Sequence, residues 1–411
     1  MYDVTDKEQN EELFERNILS YPENGVGAGM EDSTELNGES LGRDIAIDDG
    51  TGIEPEDTVG DEKITDPFNP KLIRVDTRPM TIDLLLSRIE HEELDLQPSF
   101  QRKAGIWNEG SQSRLIESIL IRIPLPAFYL DATNDDKWLV VDGLQRLTAL
   151  KRFIVDKTLK LSELEFLTHL DGKTHSELPR PFQRRIRETQ VTVYLIEKGT
   201  PSEVKFNIFK RINTGGLPLS AQEIRHALNQ GKAAELLALL ASSTEFKRAI
   251  DNSIRDDRMA DRECVLRFFA FTITPYAQYK AKEFDSFLND CMVKMNKMSD
   301  QELAELERRF KRAMVAAFDI FGRDAFRKRY KADEAKHPIN KALFESWSVN
   351  LGQLSDEQLK VLKKRKDILI GRFIRLMNTA GFDAAVSQGT GDIKKVNYRF
   401  SSVKRLVEEI L

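Results

Sequence analysis

Cysteine is nearly absent: Cys264 and Cys291 are the only two in 411 residues. They are far apart and make neither a metal pattern nor a disulfide framework, which points to a reducing compartment. Histidine is scarce as well. His91, His169, His175, His226 and His337 stand singly, with no His-x-x-x-His or His-Asn-His arrangement, so zinc chemistry has no ligand set. No Gly-x-x-x-x-Gly-Lys-Ser/Thr loop and no Gly-x-Ser-x-Gly elbow occurs. No apolar run approaches the ~18–20 residues that span a bilayer, and no signal peptide opens the sequence. The expectation is a soluble, cytoplasmic protein with no membrane partner. Hydrolysis, where it occurs, must run on carboxylates, Arg and Gln contacts and a Mg²⁺ held partly by substrate phosphates.

Charge of one sign is missing locally rather than globally. Residues 1–66 hold 20 Asp+Glu and 4 Lys+Arg, a net of −16. The remainder holds 67 − 20 = 47 acids and 62 − 4 = 58 bases, a net of +11. An acidic arm is thus joined to a basic body, and basic bodies meet polyanions. The arm lacks periodicity and reads as disordered apart from a short helix near Asn10–Leu19. It is either a solvating tail or a decoy that occupies the basic surface until nucleic acid displaces it.

Three domains follow: the arm at 1–66, an α+β domain at 67–230 and an all-helical domain at 231–411. Helical spacing covers Met80–Ile89 and Ser111–Ile121, and three apolar stretches read as strands: Ala127–Leu130, Trp138–Val141 and Gln190–Ile196. Leu94 opens an extended segment, Pro201–Ile212 is a helix, and Ser220 with Glu223 forms a capping box for the next one. Beyond 231 the helical segments are Ala233–Leu240, Glu263–Ile273, Phe284–Met298, Glu302–Phe321, Leu354–Met377 and Ser401–Leu411.

The stretch around which the rest is organised is Trp138–Ile154. A buried strand runs into Asp142, Gly143, Leu144, Gln145 and Arg146, and then into a helix carrying Leu147, Leu150, Phe153 and Ile154 on one face. Gly143 lets a ligand approach the backbone, the helix start offers unpaired N–H groups, and Arg146 brings a charged fork suited to phosphate oxygens. A phosphate-binding turn is one reading. The other is a helix start alone, with Asp142 as N-cap and Gln145 closing a capping box. On the first reading, Arg146→Ala removes nucleotide binding and leaves the fold intact. Two more polar clusters end predicted elements: Gln101-Arg102-Lys103 and Arg211-Ile212-Asn213-Thr214-Gly215-Gly216. A fourth, Asp256 to Glu263, reads as helix capping with local ion pairs.

Four motifs recur in a fixed order: Phe100-Gln101-Arg102 with Trp107; Ile123-Pro124-Leu125-Pro126; Val141-Asp142-Gly143-Leu144-Gln145-Arg146; and Phe209 to Ser220 through Asn213-Thr214-Gly215-Gly216. From about Thr77 to Phe269 the chain resembles the N-terminal domain of GmrSD-type modification-dependent restriction endonucleases, of the ParB/sulfiredoxin-like superfamily. The resemblance implies a ParB-like α+β fold, binding and hydrolysis of a nucleoside triphosphate with Mg²⁺, DNA as the polyanion, and a role in defence against phage. It puts Gly143 and Arg146 on the phosphates, Asp142 on a Mg²⁺ or water, and Gln145 by the γ-phosphate. Gln101 and Arg102 complete the pocket, and Asn213, Thr214, Gly215 and Gly216 close it. Two departures qualify this. Leu144 replaces the first Gln of the family's Asp-Gly-Gln-Gln-Arg, so binding is expected ahead of turnover. The His-Asn-His nuclease domain of the full enzymes has no counterpart, so the chain recruits a separate nuclease, nicks weakly, or only senses. The alternatives to an NTPase are a nucleotide-gated DNA clamp or adaptor, with further copies of the chain as possible partners, and a purely structural adaptor.

Overall fold

The structure is a computed structural model that describes residues 52–56, 73–96, 107–212, 220–255, 258–280 and 283–411. The described residues all belong to one compact unit, Ile45–Leu411. Most of the acidic arm, with the helix expected near Asn10–Leu19, lies outside them. The architecture is α+β: a five-stranded sheet with its helices in the first half, and helices throughout the second.

The strands are β1 (Val75–Thr81), β2 (Leu94–Asp95), β3 (Phe128–Asp131), β4 (Trp138–Asp142) and β5 (Gln190–Ile196). They lie in the order β1-β5-β3-β4-β2, with β5/β3 and β4/β2 parallel and the other two pairs antiparallel. The helices of this half are α1 (Ile82–Glu90), α2 (Glu109–Leu120), α3 (Leu144–Ile154), α4 (Arg180–Glu188), α5 (Ser202–Ile212) and α6 (Ala221–Leu228). The three expected strands are present. In β5 the alternation buries Val191, Val193 and Leu195 against the main core of this half. Two further strands carry no clear sequence signal. β1 is a sheet edge whose residues are mostly exposed, with only Met80 buried, and it contains Pro79. An edge tolerates both a proline and polar residues, so the alternation that announces a strand is missing. β2 is two residues long, too short to show a period.

The opposite face of the sheet carries a smaller core of Val141, Ile196, Phe206, Phe209 and Ile224, which seats α5 and α6. The Ser220–Glu223 capping box forms as expected, with Glu223 N–H donating to Ser220 Oγ at 3.1 Å and Ser220 N–H to Glu223 Oε2 at 2.6 Å.

The second half adds α7 (Lys232–Ala241), α8 (Thr244–Ala249), α9 (Ala260–Ile273), α10 (Phe284–Lys297), α11 (Asp300–Phe321), α12 (Lys341–Gly352), α13 (Asp356–Lys364), α14 (Lys366–Met377), α15 (Ala380–Ser387) and α16 (Ile393–Glu408). Helix α12 is the hub and is not legible in the sequence. Every residue from Ala342 to Gly352 is buried, so no polar face marks its period. Two of its polar side chains bond back to the helix itself: Ser346 Oγ donates to Ala342 O at 2.8 Å and Asn350 Nδ2 to Ser346 O at 2.8 Å. The helix expected over Leu354–Met377 is two, broken at Arg365, and α16 starts at Ile393 rather than Ser401. Among the described residues, no helix is long and apolar enough to cross a membrane.

Candidate functional site

The turn between β4 and α3 is built around a glycine with no substitute. Gly143 has φ 101°, and a Cβ there would meet Phe128 Cδ1 at 2.4 Å. It is itself the N-cap of α3 and no side chain caps the helix. The capping box in which Asp142 pairs with the helix start and Gln145 reaches back is therefore not formed. The first N–H groups of α3 keep the anion-attracting character of an uncapped helix start.

Asp142 turns instead to Arg146, with Oδ2 2.8 Å from Nη2. Arg146 is 8% exposed. Its Nη2 also donates to Ala127 O at 3.1 Å, its Nη1 donates to Pro126 O, and its guanidinium lies 4.4 Å above the Phe128 ring. Burial lowers its pKa, and Asp142 opposes the shift. Arg146 thus bolts the Ile123–Pro126 loop to the turn, a bracing role that sequence spacing does not show.

Gln145 accepts the Trp107 N–H through Oε1 at 3.2 Å. The Trp107 carbonyl takes Gln112 Nε2 at 2.6 Å, and Gln112 Oε1 takes Arg152 Nη1 at 2.8 Å. The amide of Gln145 is thereby tied to the start of α2 by a chain of bonds. Leu144 is partly buried and packs against the main core of this half. Gln101, Arg102, Asn213, Thr214, Gly215 and Gly216 lie outside the described residues, as do Asp256 and Asp257.

The structure also gathers residues that sequence reasoning passes over. Tyr129, opposite Asp142 in the sheet, stacks on Tyr194 with centroids 4.8 Å apart. Burial raises the Tyr129 pKa, and Tyr194 and Asp142 add to the shift. Lys205, on α5, sits buried with Nζ 3.1 Å from Asp131 Oδ2 and bonded to Thr133 Oγ1. The one signal for the tyrosine pair is register: positions 129 and 194 face one another once β3 and β5 pair.

Among the described residues no group of three or more His, Cys, Asp or Glu side chains could hold a metal. Asp142 alone offers a carboxylate at the turn, and one of its oxygens is engaged by Arg146. That fits only a cation whose remaining ligands come from phosphates and water, as Mg²⁺ commonly has. Both cysteines are buried, and burial pushes each thiol up to about 12, which excludes a reactive thiolate.

A second feature lies on the far side of the Ile123–Pro126 loop. A groove of about 540 Å³ runs between that loop and α4, with Arg122, Arg184 and Arg185 on its walls. Arg122 and Arg184 are exposed. No curated protein matches the chain. Residues 82–229 match the family described as GmrSD restriction endonuclease, N-terminal domain.

Proposed function

The chain contains the N-terminal domain of GmrSD-type restriction endonucleases, and from that premise we propose a nucleotide-dependent, DNA-acting protein of a restriction or phage-defence system. The observation that carries the nucleotide assignment is the Gly143 turn. A left-handed glycine, an uncapped helix start and a buried guanidinium beneath it, its charge balanced by Asp142, provide a preorganised seat for phosphates. In this reading the α3 backbone N–H groups and Gly143 contact phosphate oxygens, while Arg146 supplies charge and holds the turn's shape. Asp142 is the residue that would hold a Mg²⁺ or orient a water, and a bound Mg²⁺ would neutralise phosphate charge. Gln145, fixed through Trp107, faces the terminal phosphate.

DNA is assigned to the basic groove beside α4. The Ile123–Pro126 loop forms one wall of that groove and, through Pro126 and Ala127, takes the Arg146 hydrogen bonds. Nucleotide turn and groove thus share one loop, which is a physical route for coupling.

A second reading is favoured by Leu144. The side chain that replaces the family's first Gln is drawn into the core, so the turn lacks one amide near the phosphates. The protein is then a nucleotide-gated clamp or adaptor that recruits a separate nuclease. Calorimetric titration of the common nucleotides with Mg²⁺, paired with steady-state phosphate release with and without duplex DNA, separates the readings. Binding with release supports the NTPase, and binding without release supports the clamp. Absence of binding to any nucleotide removes both. Asp142→Asn keeps an acceptor for Arg146 and loses the carboxylate, so it should retain binding and abolish release.

A further inference from the structure

Five residues of the acidic arm pack onto the body, with Ile53 and Glu54 buried, Gly52 and Glu56 half-buried and Pro55 exposed. Gly52–Glu56 lies against the helical half, about two hundred residues or more away in sequence from the groups it touches. Ile53 forms a parallel bridge to Ile339: Glu54 N–H donates to Ile339 O at 2.8 Å and Ile339 N–H to Gly52 O at 3.1 Å. Ile53 is 4% exposed and joins the helical core. Gly52 has φ 81°, and a Cβ there would fall 1.8 Å from Ser253 O, so the close approach requires glycine.

The two glutamates enter a basic pocket. Glu54 Oε1 is 2.6 Å from Lys328 Nζ, and its Oε2 accepts Asn340 Nδ2 at 3.1 Å. Glu56 is gripped by both arms of the Arg267 fork, Nη1 to Oε1 at 2.9 Å and Nη2 to Oε2 at 2.6 Å. Thr390 Oγ1 donates to it at 2.7 Å and Lys341 Nζ stands at 3.4 Å. Burial alone would raise the Glu56 pKa, but Arg267 and Lys341 reverse this and bring it down to about 2. Around the two glutamates stand the cations Arg225, Arg267, Lys328, Lys341 and Arg399 and the anions Glu263, Asp285 and Glu345, with Lys210 3.9 Å from Asp285 at the rim. Removing the arm's two carboxylates makes this cluster more positive by two charges.

Two main-chain bonds to one edge, an apolar anchor and alternate carboxylates in a matched pocket are how proteins bind an extended peptide by strand addition. We propose that the helical half carries a binding groove for an acidic extended peptide of the pattern Gly-Ile-Glu-x-Glu, filled here by the chain's own Gly52–Glu56 as an exchangeable ligand. The incoming ligand is the Gly52–Glu56 stretch of a second copy of this chain, for which a free peptide of that sequence stands in. The uncovered charge of the vacant pocket selects for it, and Ser253 and Ile339 set its register.

The test uses the full chain and a fluorescent peptide of residues 49–58. In the wild type the groove is filled in cis, so capture of the peptide is weak. In the Glu54→Gln, Glu56→Gln double variant the cis strand is a poor competitor, and capture should tighten at least tenfold. A peptide with the same two substitutions should be captured by neither protein. Equal capture by both proteins, or capture indifferent to the peptide's glutamates, overturns the proposal. So does a variant that remains unfolded with saturating peptide. Hydrogen exchange on the wild type gives a second reading. The Ile339 N–H, bonded to Gly52, should exchange at least tenfold faster than the amides of α12. If it exchanges with the slowest class instead, the strand is a fixed part of the core.

Discussion

At the scale of single residues, the turn is held by two side-chain requirements that act on each other. Phe128 occupies the space a Cβ would need at Gly143 and also lies under the Arg146 guanidinium. Gly143→Ala therefore meets both a left-handed backbone and a clash, and should cost about 2–4 kcal/mol by chemical denaturation, since such strain is ~1–3 kcal/mol before any steric term. Arg146 changes the outcome anticipated from its sequence position. Its side chain is buried and serves two carbonyls and Asp142, so Arg146→Ala leaves all three unpaired. The expected loss is about 3–5 kcal/mol of stability, with nucleotide affinity lost along with the fold. Arg146→Lys keeps the charge without the fork and is the sharper probe. Calorimetry on that variant should show weaker nucleotide binding in a folded protein.

At the scale of elements, the start of α3 sets what the turn can do. Leu144→Gln restores an amide to the first turn and gives up packing against the core. It should raise phosphate release at unchanged affinity and cost roughly 1 kcal/mol of stability, as partial burial of a leucine contributes about that much. No gain in release would show Leu144 to be neutral for turnover. Helix α6 makes a pH prediction. His226 is buried beside Arg262, and burial first, then the Arg262 charge, lowers its pKa from 6.5 to about 4. The unfolded chain takes up this proton first. Stability is therefore whole above pH 6.5 and falls as pH drops towards 4, by on the order of 3 kcal/mol at ~1.4 kcal/mol per unit. Denaturation midpoints measured between pH 7 and 4 should show this limb, and His226→Gln should flatten it.

At the scale of the whole molecule, charge is divided between an acidic N-terminal stretch and a basic body, and the structure gives that division two addresses. One is the pocket that takes Glu54 and Glu56. The other is the groove between the Ile123–Pro126 loop and α4, where Arg122 and Arg184 are exposed. Charge reversal at both, Arg122→Glu with Arg184→Glu, should weaken duplex DNA binding across sequences. It should also flatten the dependence on salt by about one unit of log–log slope for each phosphate that the arginines no longer neutralise. Superimposable salt curves for variant and wild type would place the DNA elsewhere.

What the sequence determined by itself was whatever depends on local periodicity and on local polar spacing. β3, β4 and β5 were legible because they are half-buried or buried apolar runs, aromatic in β3 and β-branched in β4 and β5. The Ser220–Glu223 box was legible because both partners lie within one helical turn, and the strand–glycine–helix turn because Asp142 to Arg146 are contiguous. Tertiary structure decided the rest. β1 exists because β5 offers it an edge, and α12 loses its amphipathic signature because helices surround it on every side. The α3 cap and the Arg146 partners were settled by Phe128, Pro126 and Ala127, which reach the turn only once β3 pairs with β4. The five-residue segment Gly52–Glu56, with its single bridge at Ile53, carried no signal at all in the sequence. Its carboxylates look like the rest of an acidic arm until the fold brings Arg267, Lys328 and Lys341 together, and long-range ion pairing leaves no trace in local spacing.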